Sequence, residues 1–106
     1  MKQPYELRYH PAAEHDLVEI FTHIKHYSGV ASAMRKLQAI EHVTDSLTDF
    51  PYKGTVRDDV LAGLRAIPAA DKGVICFTID ENDHAVVILT VSYAGSDWQA
   101  RVRDRQ

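Results

Sequence analysis

Three histidines and a carboxylate share one helical face. His15, Glu19, His23 and His26 fall within about 80° on a helical wheel. Imidazoles and a carboxylate at that spacing could ligate zinc or nickel. A closed site usually draws ligands from a second element as well, so a solvated polar face is the stronger reading and no metal is expected. Cys76, between Ile75 and Phe77, reads as an inert core thiol. It is the chain's one cysteine, which excludes an internal disulfide and a cysteine metal cluster. Ser46, Ser92 and Ser96 have no glycine elbow and no paired base beside them. The glycines at 29, 54, 63, 73 and 95 are scattered and form no phosphate loop. A small-molecule enzyme is poorly supported, and no cofactor is expected.

A second constellation has more to offer. Arg65 lies between Leu64 and Ala66, and on a strand it points away from both. Lys53 and Arg57 sit in the stretch leading to it. Tyr93 closes the last apolar run and is followed by Ala94-Gly95-Ser96-Asp97-Trp98. An arginine, a tyrosine and basic loop residues at one sheet rim can hold a phosphate, a carboxylate or a protein surface. The plainer alternative is that Arg65 pairs with Asp58, Asp59 or Asp80 and only orders the loop.

These residues need elements to position them. Tyr5, Leu7 and Tyr9 alternate with polar residues and predict a half-buried strand. Pro11 stops it and suits a first helical turn, with Glu14 and Asp16 adding negative charge near that positive end. Ala13, Leu17, Ile20, Phe21, Ile24 and Tyr27 form the stripe of a helix over about 12–27. Ser28-Gly29 ends it. Val30, Ala33, Leu37, Ile40, Thr44 and Leu47, widened by Val43, form the stripe of a second helix over about 30–49. So short a link favours an antiparallel hairpin. Phe50 to Gly54 breaks the helix, and a polar loop with a helical turn near Val60-Leu61 reaches Gly63. Three strands are predicted next: 64–67, closed by Pro68; 73–80; and 85–93, joined to its predecessor by the turn 81–84. A basic tail carries Arg101, Arg103 and Arg105. The order β-α-α-β-β-β argues an α+β fold, a two-helix antiparallel hairpin packed on a small antiparallel β-sheet. The opposite side of that sheet is expected to be free to seat a partner's polypeptide.

At 106 residues the chain is expected to be a single domain, 1–106, with little material for a deep pocket. Hydrophobic residues make up 45% and charged residues 25%, as in globular proteins. No signal peptide and no membrane-length apolar run is seen, so a cytoplasmic protein without a membrane role is expected. The net charge is −3, from 12 Lys+Arg against 15 Asp+Glu. Clamping a phosphate backbone usually takes a basic excess, so any nucleic-acid role must rest on a local patch.

Residues 9–20 (Tyr9-His10-Pro11-Ala12-Ala13-Glu14 onward), Phe50-Pro51-Tyr52-Lys53-Gly54 with Arg57 shortly after, and Leu61-Ala62-Gly63-Leu64-Arg65-Ala66-Ile67-Pro68 before the paired strands carry a family pattern. In this order and spacing the chain resembles the RelE/ParE superfamily of toxins from bacterial type II toxin–antitoxin operons. It is closer to the ParE branch, through its two well-separated helices and Gly63-Leu64-Arg65. The resemblance implies a toxin held silent by a cognate antitoxin, which wraps it with an amphipathic helix and an extended segment. For the ParE branch it implies DNA gyrase as target. For the RelE branch it implies an endonuclease that cuts mRNA on the ribosome. Many members carry arginine at the position of Thr78, and many ParE-like members carry histidine at that of Tyr93. Thr78 removes a cation that could stabilise charge on a scissile phosphate, and this favours a non-enzymatic toxin. Arg57, Arg65, Tyr93, Asp97 and Trp98 are the expected target-binding rim. In the ribonuclease alternative, Arg65 would hold the phosphate and Tyr93 would act on the 2′-hydroxyl. A third alternative is a degenerate toxin that retains only antitoxin binding and operon regulation.

Overall fold

Where the hydrophobic period is strong, the elements form as the sequence predicts. The computed structural model describes residues 3–105. Its elements are β1 (Glu6–Tyr9), a helical segment α1 (Pro11–Ser46), β2 (Thr55–Val56), β3 (Arg65–Ala69), β4 (Gly73–Asp80), β5 (Ala85–Tyr93) and α2 (Trp98–Asp104). The segment α1 is two helices joined at Gly29, whose φ of 87° and ψ of 170° leave the helical region. That conformation is close to glycine-only. The two arms, 11–28 and 30–46, fold back on each other. Leu17 and Phe21 of the first line one small recess with Leu37 and Glu41 of the second. His10 caps the first arm, its Nδ1 accepting from the Ala12 N–H at 3.0 Å.

The stripes bury Ala13, Ile20, Ile24, Ala33, Ile40, Thr44 and Leu47 against the sheet. Tyr27 and Val30 do not follow them inward. Residues 25–31 are all exposed, so the hairpin tip stands clear of the core. The Tyr9 phenol donates to Thr44 Oγ1 at 2.8 Å and ties β1 to the second arm.

The sheet order is β1-β5-β4-β3-β2. The pairs β2–β3, β3–β4 and β4–β5 are antiparallel. β1 joins β5 in parallel, from Glu6 opposite Ala85 to Tyr9 opposite Ile88. The wholly antiparallel sheet expected above is therefore corrected to a mixed one. Tight turns set the sense of consecutive strands only, whereas the hairpin and three strands separate β1 from its partner. β2 gave no signal, being two exposed residues. β3 runs through Pro68 to Ala69 because β2 reaches only Arg65 and Ala66. Pro68 thus sits where β3 is the sheet edge and no neighbour needs its N–H.

Ile75, Phe77, Val86, Ile88 and Val91 face the α1 hairpin. Leu64, Cys76 and Leu89 form a second cluster on the other face. The register shifts between Cys76, opposite Thr90, and Phe77, opposite Ile88. Leu89 is the extra residue of this bulge.

The second face is not free, which corrects the expectation of an open side. The basic tail is helical, and Trp98 and Val102 of α2 pack on that face with Val60, Leu61, Ala66, Val74 and Val87. The helix starts at Asp97, whose Oδ1 accepts from the Ala100 N–H at 3.2 Å. Its far end is held by Asp16. That carboxylate is no exposed helix-end charge: it is 1% exposed. It accepts from Arg101 Nη1 at 3.1 Å, from both terminal nitrogens of Arg105, and from the Val91 N–H at 3.0 Å. Arg105 also donates to the Leu89 carbonyl at 3.0 Å. β1 stops at Tyr9, and beyond the His10 N–H, which donates to the Ile88 carbonyl at 2.8 Å, side chains serve the Leu89 carbonyl and the Val91 N–H of β5. No described helix is long and apolar enough to cross a membrane.

Candidate functional site

Four of the five expected rim residues gather where β5 runs into α2. Arg57 donates from Nε and Nη2 to the two carboxylate oxygens of Asp59, both at 3.0 Å. This fork fixes the guanidinium plane, and it lies 4.8 Å from the centre of the Trp98 ring. The pairing holds Arg57 firmly charged and Asp59 below the usual carboxylate range. Trp98, Asp97 and Tyr93 in turn line a cleft of about 390 Å³ with Lys72, Ser92 and Gln99. The hydroxyl of Ser92 is buried there without a hydrogen-bond partner among the described residues.

Arg65 stands apart from this group. As the period-two reading predicts, Leu64 and Ala66 pack in the second cluster, while Arg65 points to the other face. There it donates to the Lys53 carbonyl at 3.2 Å and lies over the Tyr52 ring at 5.2 Å. It forms no pair with the three aspartates considered for it. Asp58 accepts from the Gly63 N–H, Asp59 from Arg57, and Asp80 from the Asp83 N–H. The ladder sets the distance between Arg65 and Tyr93. Arg65 is opposite Phe77, and Tyr93 is opposite Gly73. Four residues along β4 and two strand spacings across place the two backbones about 13 Å apart in one direction and about 10 Å in the other.

The histidine face is used locally. His15 Nε2 meets Glu19 Oε1 at 3.0 Å, and His23 and His26 rest against Tyr27 at 5.0 and 4.8 Å. Cys76 is fully buried, which pushes its thiol up to about 11.

A model of the ParE toxin of the type II toxin–antitoxin system parDE matches residues 7–98. The chain belongs to this ParE toxin family. Two solved structures share its fold. One is the chromosomal ParDE toxin–antitoxin system from P. aeruginosa, at TM-score 0.75 and 19% identity, over 89% of this chain and 100% of that one. The other is the RelBE2 toxin–antitoxin complex from Mycobacterium tuberculosis, at TM-score 0.61 and 24% identity, over 86% and 99%. No curated protein is a significant match.

The ParE toxin fold here carries two features that the sequence reading missed. One is the set Asp16, Arg101 and Arg105. A signal for it existed, because Asp16 falls three residues after Ala13 and four before Ile20, on the apolar stripe itself. The other joins three distant segments at one end of the sheet. The Tyr5 phenol donates to Glu81 at 2.9 Å, Tyr52 donates to the same carboxylate, and the His84 ring stacks on Tyr5 at 3.8 Å. No periodicity links positions so far apart in the chain.

The hydrogen bond to ionised Glu81 is the main cause that pushes Tyr52 up to about 12 and raises Tyr5 as well. The same bonds, Tyr52's first, lower Glu81. A raised phenol keeps its proton better in the folded state. Its contribution to stability is whole below about 10 and fades as pH rises towards about 12. The Glu81 contribution is whole above the normal carboxylate range and fades as pH falls through its lowered value. Absorbance titration of the folded toxin should show three late-ionising tyrosines, Tyr5, Tyr52 and Tyr9, the last raised by burial, and Glu81→Gln should bring Tyr5 and Tyr52 alone back towards 10. Unchanged midpoints in Glu81→Gln would remove this assignment.

Proposed function

We propose that this toxin acts by binding a macromolecule rather than by cutting one. The observation that carries the reading is the separation of Arg65 from Tyr93. A nuclease would need both groups on one phosphodiester, within about 3 Å of the reacting atoms. Their backbones are about 10 Å apart across the sheet and about 13 Å along it, and Arg65 is tied to the Lys53 carbonyl. The Arg57–Trp98 stack, flanked by Asp97 and Tyr93, instead has the makeup of a protein-binding rim, an aromatic anchor and an arginine already fixed in place. Membership of the ParE branch makes DNA gyrase the proposed target.

The antitoxin we place on the outer side of the α1 hairpin, because α2 covers the second face of the sheet. Val18, 60% exposed, and Met34 lie on that side. A recess of about 200 Å³ between Leu17, Val18, Phe21 and Leu37 suits an apolar anchor from an amphipathic helix.

Expression of the chain alone is expected to halt growth with induction of the DNA-damage response, and the purified toxin to inhibit gyrase supercoiling. Codon-positioned mRNA cuts lost in Arg65→Ala would replace this reading with the ribonuclease one. Unimpaired growth would leave a degenerate toxin.

A further inference from the structure

Beside the Tyr5–Tyr52–Glu81 cluster lies a recess of about 450 Å³, lined by Gln3, Tyr5, Asp49, Pro51, Tyr52 and His84. We propose that it receives the cationic side chain of an arginine or lysine from a partner polypeptide.

The lining selects for charge. Tyr5 and Tyr52 wall the recess with aromatic surface, whose negative ring faces attract cations. Asp49, in the turn after the second helical arm, is its one carboxylate and forms no ion pair or side-chain hydrogen bond among the described residues. Among the described residues neither arginine nor lysine lines the recess. Glu81, just behind both phenols, adds to the negative potential. An anion would meet Asp49, and a purely apolar guest would desolvate that carboxylate without pairing it. A guanidinium or an ammonium satisfies both the rings and the carboxylate. Arg65 already rests on the Tyr52 ring from outside the recess, so this ring accepts a guanidinium.

The walls are held before any guest arrives. Both phenols are tied to Glu81. His84 is stacked on Tyr5 with 20° between the planes and bonds the Gln3 carbonyl at 2.8 Å. It does so at φ 51°, a left-handed conformation that costs a histidine energy and that these two interactions offset. Phe50, 66% exposed in the chain between the lining residues Asp49 and Pro51, would give the residues flanking the inserted cation an apolar surface. This is why the occupant is a polypeptide side chain and not a free ion. The inference stands independently of the gyrase target.

The test is a nuclear magnetic resonance titration of the full chain with N-acetyl-arginine methylamide and its lysine counterpart. The citrulline compound serves as the neutral isostere of arginine. Shift changes centred on Tyr5, Asp49, Tyr52 and His84 are expected. Asp49→Asn, with its remaining spectrum unchanged, should bind about threefold more weakly or worse, and citrulline weaker still. Citrulline binding as well as arginine, shifts centred elsewhere, or no binding would overturn the proposal. Tetramethylammonium binding as tightly as the arginine compound would make a small cation the occupant and overturn the polypeptide assignment.

Discussion

Asp16→Ala should cost about 3 kcal/mol of stability and loosen α2 from the sheet. The carboxylate is 1% exposed, and the Arg105 side chain that forks onto it is 15% exposed. Removing one partner of so covered a pair leaves the other charge buried without compensation, and that is the larger part of the loss. The Val91 N–H loses its acceptor as well, which adds the desolvation cost of an unmet donor. Asp16→Asn keeps an acceptor for Val91 but not the charge, and should fall between the wild type and alanine. Arg101→Ala should cost under about 1 kcal/mol, since that side chain is 35% exposed and solvent screens its pair. Urea unfolding gives the free energies. Trp98 is the chain's single tryptophan and sits on α2, so its emission should move to longer wavelength in Asp16→Ala as the helix leaves the second face. A stability within about 0.5 kcal/mol of wild type, or an unmoved Trp98 emission, would show that other contacts hold α2.

That prediction also marks where the sequence stops being legible. Period-two and period-3.6 patterns report which face of an element is buried. They therefore located β1, both helical arms, β4 and β5, and they set Arg65 against Leu64 and Ala66. They are silent on partners far along the chain. Asp16 and Arg105 are 89 residues apart, and Tyr5 and Glu81 are 76 apart. In each case a charged residue looked like surface because its counter-group could not be seen. The tail failed for the same reason. A run with Arg101, Arg103 and Arg105 reads as solvated chain until a buried carboxylate is known to await two of them. The parallel sense of β1 is another non-local property. The rim was half legible: Tyr93, Asp97 and Trp98 are neighbours in sequence and in space, Arg57 joins them through Trp98, and Arg65 does not, because the register sets it four residues along β4 and two strands across from Tyr93.

Gly54→Ala should be the most costly glycine replacement in the loop before β3, at about 3 kcal/mol. Two separate terms add. Gly54 has φ 78°, a left-handed conformation that costs alanine about 1 kcal/mol. An added Cβ would also lie 2.5 Å from the Ala66 carbonyl oxygen and 3.2 Å from the Ile67 Cβ. The first of these is backbone within the β2–β3 pairing, so no side-chain rotation relieves it. Relief requires β2 to move off β3, and the Lys53 carbonyl that anchors Arg65 moves with it. Gly63 is the control. Its φ of 80° is nearly the same, but an added Cβ there meets nothing within 4 Å. Gly63→Ala should therefore show the conformational term alone, about 1 kcal/mol. Urea unfolding of the two variants separates the terms. Equal losses would mean that backbone conformation alone sets the cost and that β2 gives way freely. A Gly54→Ala loss about 2 kcal/mol greater would show that the two-residue strand β2 is held rigidly enough to fix the loop between Lys53 and Arg65.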